Sequence, residues 1–177
     1  MPVKNVIRVA ALLRLFTTLC LIGLPLVLLV GLAKGSFGAE AIVAAHPGLP
    51  AGTAPDEAAV VLYIGIEVIL LCALGYVLWQ VRALFCGYAC GDILTVESAG
   101  HITRAARGLL TLAALGVLTQ PLQVLILTLG NAPGQRQISL ALSDAEIGTV
   151  LAGGVLWVVG WALAEAARIA EENREFV

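Results

Sequence analysis

Four separate runs of about 20 mostly apolar residues restrict the fold of this chain more than any other feature. The predicted spans cover residues 14–32, 58–80, 108–129 and 147–167. A helix of that length rises about 30 Å, the thickness of a bilayer's hydrocarbon core. A strand of a membrane β-barrel would alternate apolar and polar residues, whereas these runs are continuous. The sequence therefore predicts an all-α polytopic membrane protein, a bundle of four transmembrane helices.

Composition supports a membrane protein with one domain. Of its 177 residues, 60% are hydrophobic and only 12% are charged, whereas a soluble domain is about 25% charged. Four spans leave too few residues for a separate soluble domain, so we expect a single domain over 1–177. The first run follows basic residues, as a signal peptide does, but it is longer than a signal's apolar region and three further spans follow. We expect it to be retained as a span.

The positions of the basic side chains predict the orientation in the membrane. Eight of the ten Lys and Arg residues fall on one side of the predicted spans, and Lys34 and Arg136 fall on the other. Basic residues accumulate on the cytoplasmic side. We therefore expect a bacterial inner-membrane protein with both termini and the 81–107 hairpin in the cytoplasm. The eight are Lys4, Arg8, Arg14, Arg82, Arg104, Arg107, Arg168 and Arg174.

A carboxylate near the middle of the second span is the most informative single residue. An ionised Glu67 would be costly in hydrocarbon, so we expect it to be neutral or paired. Gln120 and Gln123 of the third span lie at a similar depth. A protonated Glu67 donating to one of these amides would form an intramembrane polar cluster. The cluster fits three interpretations: a bond that holds helices together, part of a proton or ion relay, or a ligand contact. A different register of the two helices would leave these side chains apart.

The rest of the chain offers little chemistry. It lacks a phosphate-binding Gly-rich loop with Lys, a Gly-x-Ser-x-Gly elbow and a His-Glu-x-x-His pair. Cys86 and Cys90 share a helix face and His101 follows, but a structural metal site needs four closely placed ligands. A net charge of −2 without a basic patch argues against direct nucleic-acid binding. We expect no enzyme activity, no metal and no cofactor.

The segments between the spans carry helix-ending signals. Gly91 is suited to end the helix of the second span, and Thr95 to cap the helix that leads into the third. The link over 34–57 is rich in Pro and Gly, which predicts extended or turn backbone without a core. Asp144 is a candidate cap for the fourth helix, with Glu146 in its first turn.

Two short motifs resemble a known family. The stretch from Phe85 to Arg104, with Gly91-Asp92-Ile93-Leu94-Thr95, resembles the signature of an uncharacterised bacterial four-helix integral membrane family, domain of unknown function 2975. The last residues, 166–177, end in Glu171-Glu172-Asn173-Arg174-Glu175-Phe176-Val177 and are similar to that family's closing motif. The chain departs from the family pattern at Leu94, where the family prefers Phe, and at Phe176, where it prefers Thr.

The resemblance implies four spans, no established catalytic residues, and a membrane partner for a small helix-turn-helix regulator. The motif segments would share the cytoplasmic face, where apolar hairpin residues either cover Ile169 and Phe176 or form a partner-docking surface. That predicted interaction surface comprises Phe85, Tyr88, Gly91, Asp92, Thr95, Arg104, Glu172 and Phe176.

Three functions follow as expectations. The first is a non-catalytic membrane protein that acts through protein–protein contacts, as an accessory or assembly subunit of a larger membrane complex or as the partner of a regulator. The alternative is a small transporter or proton-coupled protein that uses Glu67. An intramembrane enzyme has the least support, because no nucleophile and base fall at matching depths.

Overall fold

The computed structural model describes residues 2–91, 95–132, 134–140 and 142–175, and side chains between residues 5 and 172. Over these residues the chain is all-helical, without strands. Four of its helices are long and apolar enough to cross a membrane, as predicted. The helices are α1 (Pro2–Ala33), α2 (Ala39–Ala45), α3 (Glu57–Cys90), α4 (Val96–Thr128) and α5 (Asp144–Glu175).

The long helices pack in chain order. Among the described residues, α1 packs against α3, α3 against α4 and α4 against α5. The central pair is therefore α3 and α4, with α1 and α5 flanking it. Most side chains of α1 and α5 are exposed, and the exposed ones are largely aliphatic. Lipid is the solvent in which such a surface is stable, and the four apolar helices accordingly fit a membrane location.

Glycines set the closest helix approaches. A Cβ atom on Gly108 of α4 would lie 2.7 Å from Cγ2 of Val77 on α3. A Cβ atom on Gly160 of α5 would lie 2.6 Å from Oγ1 of Thr103 on α4. Neither distance is possible for a real side chain, so these crossings require glycine, as small residues do at membrane helix interfaces.

Both predicted caps between α3 and α4 are confirmed. Gly91 follows the last residue of α3 with a φ of 97°, a left-handed conformation that glycine adopts without strain. Thr95 precedes α4, and its hydroxyl accepts a hydrogen bond of 3.1 Å from the backbone N–H of Ser98. Side chain and backbone therefore stop one helix and start the next within a few residues.

The predicted start of α5 is wrong by one residue. Asp144 is the first helical residue rather than the cap. Ser143 precedes the helix, and its backbone N–H donates a hydrogen bond of 2.6 Å to Oε2 of Glu146, to which its hydroxyl also donates. Ser-x-x-Glu is the capping-box spacing, in which the glutamate reaches back to the residue that starts the helix. The pair displaces Asp144 from that role.

The prediction of a coreless link over 34–57 is also wrong in part. Residues 39–45 form α2, whose Ile42 is buried. The sequence of this stretch is rich in alanine, a strong helix former, and carries Glu40 in its first turn, where a carboxylate favours the helix. The prolines of the link begin only after it, whereas Gly35 and Gly38 precede it. Composition averaged over the whole link concealed this short helix.

The two ends of the helix group differ. We call the end that carries Arg14, Arg82 and Arg104 the arginine end, and the opposite one the loop end. At the loop end α5 begins beside the middle of α4 and not beside its end. Glu146, in the first turn of α5, lines a cleft together with Gly116, and a Cβ atom on Gly116 would lie 3.6 Å from Cγ of Glu146. Gly116 lies twelve residues before Thr128, the last residue of α4, which is about 18 Å along the helix.

An extended segment covers this offset. Residues 135–140 and 142–143 lack regular structure, and the backbone N–H of Gln137 donates to Oγ1 of Thr128 at 3.3 Å. Ile138, Leu140 and Leu142 are 69, 75 and 69% exposed. Ser139 lines a cavity and is itself exposed, as Gln137 is, so the described side chains from 137 to 140 all reach the surface.

Candidate functional site

The polar pair predicted between the second and third spans is present. Nε2 of Gln123 on α4 donates a hydrogen bond of 2.9 Å to Oε1 of Glu67 on α3. Gln123 is buried and Glu67 is half-buried. The expected direction was a protonated carboxyl group donating to the amide, whereas the amide is the donor in the structure. That geometry suits an ionised or a neutral carboxyl group.

A cavity of about 330 Å³ opens beside this pair toward the loop end. Gln120 lines it one turn before Gln123, and Tyr63 and His46 form another part of its wall. Nδ1 of His46 lies 2.9 Å from the carbonyl oxygen of Ile42. The rings of His46 and Tyr63 meet edge to face with centroids 5.7 Å apart. The cavity therefore brings together a carboxyl group, two amides, a phenol and an imidazole.

Two further cavities reach the same carboxyl group. A groove of about 730 Å³ runs between α1 and α3, and Glu67 lies in its wall. A cleft of about 340 Å³ lies among α3, α4 and the first turn of α5, again with Glu67 in its wall. Leu71 and Leu74 line both. The side chain of Glu67 is thus the point at which a polar cavity, an apolar groove and a cleft that also contains Glu146 and Thr149 meet.

The electrostatic surroundings of Glu67 contain no strong cation. None of the residues that line these three cavities is a lysine or an arginine. A carboxylate in a medium of low polarity is stable only when it is paired or protonated. The described residues around Glu67 supply one amide donor, together with Tyr63, which interacts with the carboxyl group from one turn away. The site has room and chemistry for an external cation or a proton.

The arginine end holds a second set of polar contacts. Nε of Arg82 donates to Oγ1 of Thr18 at 3.0 Å, joining α3 to α1. Nδ1 of His101 lies 2.9 Å from Oε1 of the buried Gln80, joining α4 to α3. These bonds connect neighbouring helices where the apolar runs end, which is the depth at which polar side chains are least costly.

Two cysteines of the arginine end, Cys86 and Cys90, lie near basic side chains and a small cavity. Cys86 lies 3.9 Å from Nη1 of Arg14, and Cys86 and Cys90 line a cavity of about 350 Å³ with His101. Among the residues whose positions are described, no group of three or more His, Cys, Asp or Glu side chains is placed to hold a metal ion.

The predicted interaction surface is divided by the structure. Phe85 and Tyr88 border a cavity of about 330 Å³ whose remaining wall is the first part of α1. The expectation that hairpin side chains cover Ile169 is wrong, because Ile169 is 48% exposed. The reason is that the aromatic side chains turn to the α1 side of α3, and α5 lies on the other flank. Asp92 and Phe176 lie outside the described residues.

The other members of that surface are accessible. Arg104 is exposed, and its Nε donates to the carbonyl oxygen of Gly100, one turn earlier on α4. Glu172 accepts a hydrogen bond of 2.9 Å from Arg168, which also bonds Glu165 at 2.6 Å. Exposed pairs of this kind stabilise a helix end by little. Gly91 and Thr95 serve as the caps described above.

Sequence reasoning missed three polar side chains of this cavity, Tyr63, His46 and Ser139. The signal for Tyr63 was present, because it precedes Glu67 by four residues and so shares its helix face. The signal for His46 was absent, because its position depends on α2 and on the turns that follow it.

No family model, no curated protein and no solved structure matches this chain. The resemblance to domain of unknown function 2975 therefore stays a prediction from the two motifs.

Proposed function

We propose that this chain is a non-catalytic integral membrane protein of the bacterial inner membrane that works through protein–protein contacts. It serves as an accessory or assembly subunit of a larger membrane complex, or as the membrane partner of a transcriptional regulator. Both termini lie in the cytoplasm, and the chain belongs to the family whose motifs it resembles.

The length of the helices beyond the apolar spans carries this proposal. At the arginine end α1 begins twelve residues before its predicted span, α3 continues for ten residues past Gln80, and α4 begins twelve residues before Gly108. These extensions correspond to about 15–18 Å of helix. Spanning a membrane does not require them. A helical layer outside the bilayer is instead what a docking platform for another protein needs.

The interior of this layer is well packed. Ala99, Ile102, Ala105 and Ala106 of α4 are all buried, and they lie before or at the edge of the third predicted span. Buried contacts that persist outside the lipid make the layer rigid in water as well. A rigid surface loses little conformational entropy when a partner binds.

The outside of the layer offers both apolar and charged groups. Val96 is 58% exposed at the start of α4, Ile169 is exposed on α5, and Arg104 lies two turns after Val96. An apolar centre with a charged rim is the usual composition of a transient interface. We therefore place the docking surface around the start of α4.

Site-specific photo-cross-linking in native membranes tests this function. A photo-reactive amino acid in place of Val96 should give one adduct at constant stoichiometry, and Arg104→Glu should weaken it. The matched control is the same amino acid in place of Ala51, an exposed residue of the loop end, which should give none. A partner-free monomer extracted in native nanodiscs, with no adduct from Val96, would contradict the proposal.

A second candidate is a proton-coupled membrane protein that uses Glu67, because a polar cavity from the loop end reaches that carboxyl group. In proteoliposomes, proton flux should be lost in Glu67→Gln and kept in Glu40→Gln, which removes an exposed carboxylate of α2. Equal flux in the two variants would exclude this candidate.

A further inference from the structure

Two of the cavities that meet at Glu67 differ in polarity, and this difference indicates what kind of ligand could occupy both. The cavity toward the loop end is lined by amides, a phenol and an imidazole. The groove between α1 and α3 is lined almost entirely by leucine, valine, glycine and Phe37. A molecule that fits both needs a polar head and an apolar tail. At about 730 Å³, the groove is as large as the sites that hold drug-sized ligands.

The charge of the site fixes the sign of the head group. Glu67 is the acidic side chain at the junction, and none of the residues lining the groove or the polar cavity is a lysine or an arginine. A ligand cation would neutralise the carboxylate and remove the cost of an unpaired charge. A carboxylate or phosphate head would find no lysine or arginine there. Gln120 and Gln123 add amide oxygens, which accept the further hydrogen bonds of an ammonium group.

The direction of the groove fixes the position of the tail. From Gly31 to Cys20 on α1, its wall extends for eleven residues, about 16 Å. Leu71, Leu74 and Leu78 of α3 form the opposite wall. An alkyl chain that starts at Glu67 can therefore lie between α1 and α3 and point toward the arginine end.

We propose that this groove binds a single-chain amphiphile with a protonated primary amine, its ammonium group on Glu67 and its alkyl chain between α1 and α3. The inference goes beyond the proposed interaction role. It concerns binding alone, and it holds whether or not Glu67 carries protons across the membrane.

Two substitutions test the two halves of the site. Glu67→Gln keeps the size of the side chain and removes its charge. Gly23→Leu fills the groove, and a Cβ atom on Gly23 meets nothing within 4 Å, so the new side chain starts in open space. Their matched controls are Glu40→Gln and Gly154→Leu. Gly154 likewise has open space around it, and it lines none of the three cavities.

The probe is dodecylammonium, measured by equilibrium dialysis against the full chain in phosphatidylcholine nanodiscs, which contain no primary amine. We expect one bound equivalent, with affinity lowered about tenfold or more by Glu67→Gln and by Gly23→Leu, as expected for the loss of a charge-assisted hydrogen bond or of the tail's space. The controls should bind as the native chain does. Dodecanol, which has the tail without the charge, should bind at least about tenfold more weakly.

Equal binding of dodecanol and dodecylammonium would overturn the proposal, as would unchanged affinity in Glu67→Gln. Phosphatidylethanolamine carries its primary amine beside a phosphate and has two acyl chains, so we expect nanodiscs that contain it to bind dodecylammonium as before. Competition by that lipid would contradict a single-chain ligand without a phosphate.

Discussion

The hydrogen bond from Gln123 to Glu67 joins α3 to α4 through two side chains that lipid solvates poorly. Bonds of this kind between membrane helices contribute about 0.6 kcal/mol on average and at most about 1.7 kcal/mol. Such a value is small beside the packing of two long helices. The pair therefore contributes more to the relative depth of α3 and α4 than to their association.

Replacing the bonded glutamine should cost more than replacing its neighbour. We expect Gln123→Leu to lower the free energy of unfolding by about 1 kcal/mol relative to Gln120→Leu, because Gln123, and not Gln120, bonds the carboxyl group. Gln123 is buried and Gln120 is half-buried, so each substitution is also combined with Glu67→Gln in a double-mutant cycle that isolates the bond. Unfolding in mixed micelles of increasing SDS content measures it, and equal stability of the two variants would contradict the assignment.

Single residues differ in how far sequence could place them. Glu67 was predicted to meet either Gln120 or Gln123, because depth along a helix follows from residue number at about 1.5 Å per position; the structure shows that Gln123 forms the bond. Tyr63 shares a helix with Glu67 and was within reach of the same reasoning. The position of His46 could not be predicted in this way, because His46 lies in the link between the first two spans, where no fixed rise per residue applies.

At the scale of elements, the contact of α4 with α5 rests on glycines that face α4. Gly160 and Gly153 lie seven residues apart and therefore on one face of α5, and a Cβ atom on Gly153 would lie 3.0 Å from Leu110. Gly154, the next residue, faces open space. The number of glycines in α5 therefore overstates how many of them the contact with α4 requires. Only a glycine on the face that meets α4 is needed there.

We expect Gly160→Leu to separate α5 from α4, because its side chain would overlap Thr103. Overpacking of this kind costs about 1–3 kcal/mol. Gly154→Leu should change the stability by less than about 0.5 kcal/mol, as surface substitutions do. Thermal unfolding in nanodiscs, followed by circular dichroism, compares the two variants. A loss of stability in Gly154→Leu as large as that in Gly160→Leu would refute the proposed face.

Long helices were predictable and their limits less so. Continuous apolar runs identify a span, but they do not show where a helix continues past the lipid, and the extensions of α1, α3 and α4 at the arginine end have mixed composition. The caps at Gly91 and Thr95 were found because their signals are local. The start of α5 was placed one residue late because Ser143 and Glu146 form a capping box. The sequence analysis took Asp144 as the cap and Glu146 only as an acidic residue of the first turn.

At the scale of the whole molecule, orientation is the property on which the proposed function depends. A docking layer at the arginine end serves a cytoplasmic regulator only if that end faces the cytoplasm. The basic side chains favour this orientation. Cys90 is exposed at the arginine end and Ala51 is exposed at the loop end, so each end offers a position for chemical labelling.

Labelling with a membrane-impermeant maleimide tests the orientation. In a chain whose other three cysteines are replaced by serine, we expect Cys90 to react in inverted vesicles and to be protected in intact spheroplasts. In a variant that lacks all four native cysteines, the thiol of Ala51→Cys should show the opposite pattern. Reaction of Cys90 in intact spheroplasts would show that the arginine end faces away from the cytoplasm, and the proposal of a cytoplasmic partner would then fail.

The short reach of α5 at the loop end has a consequence for the surrounding lipid. Few peptide groups of the extended segment before α5 have partners among the described residues, and unpaired peptide groups are unstable among acyl chains. We therefore expect headgroups and water to reach down along that flank and to thin the bilayer locally. Hydrophobic mismatch of this kind sorts proteins among membranes of different thickness. The chain should accordingly unfold less readily in short-chain than in long-chain phosphatidylcholine, and it should concentrate wherever a cell keeps its membrane thin.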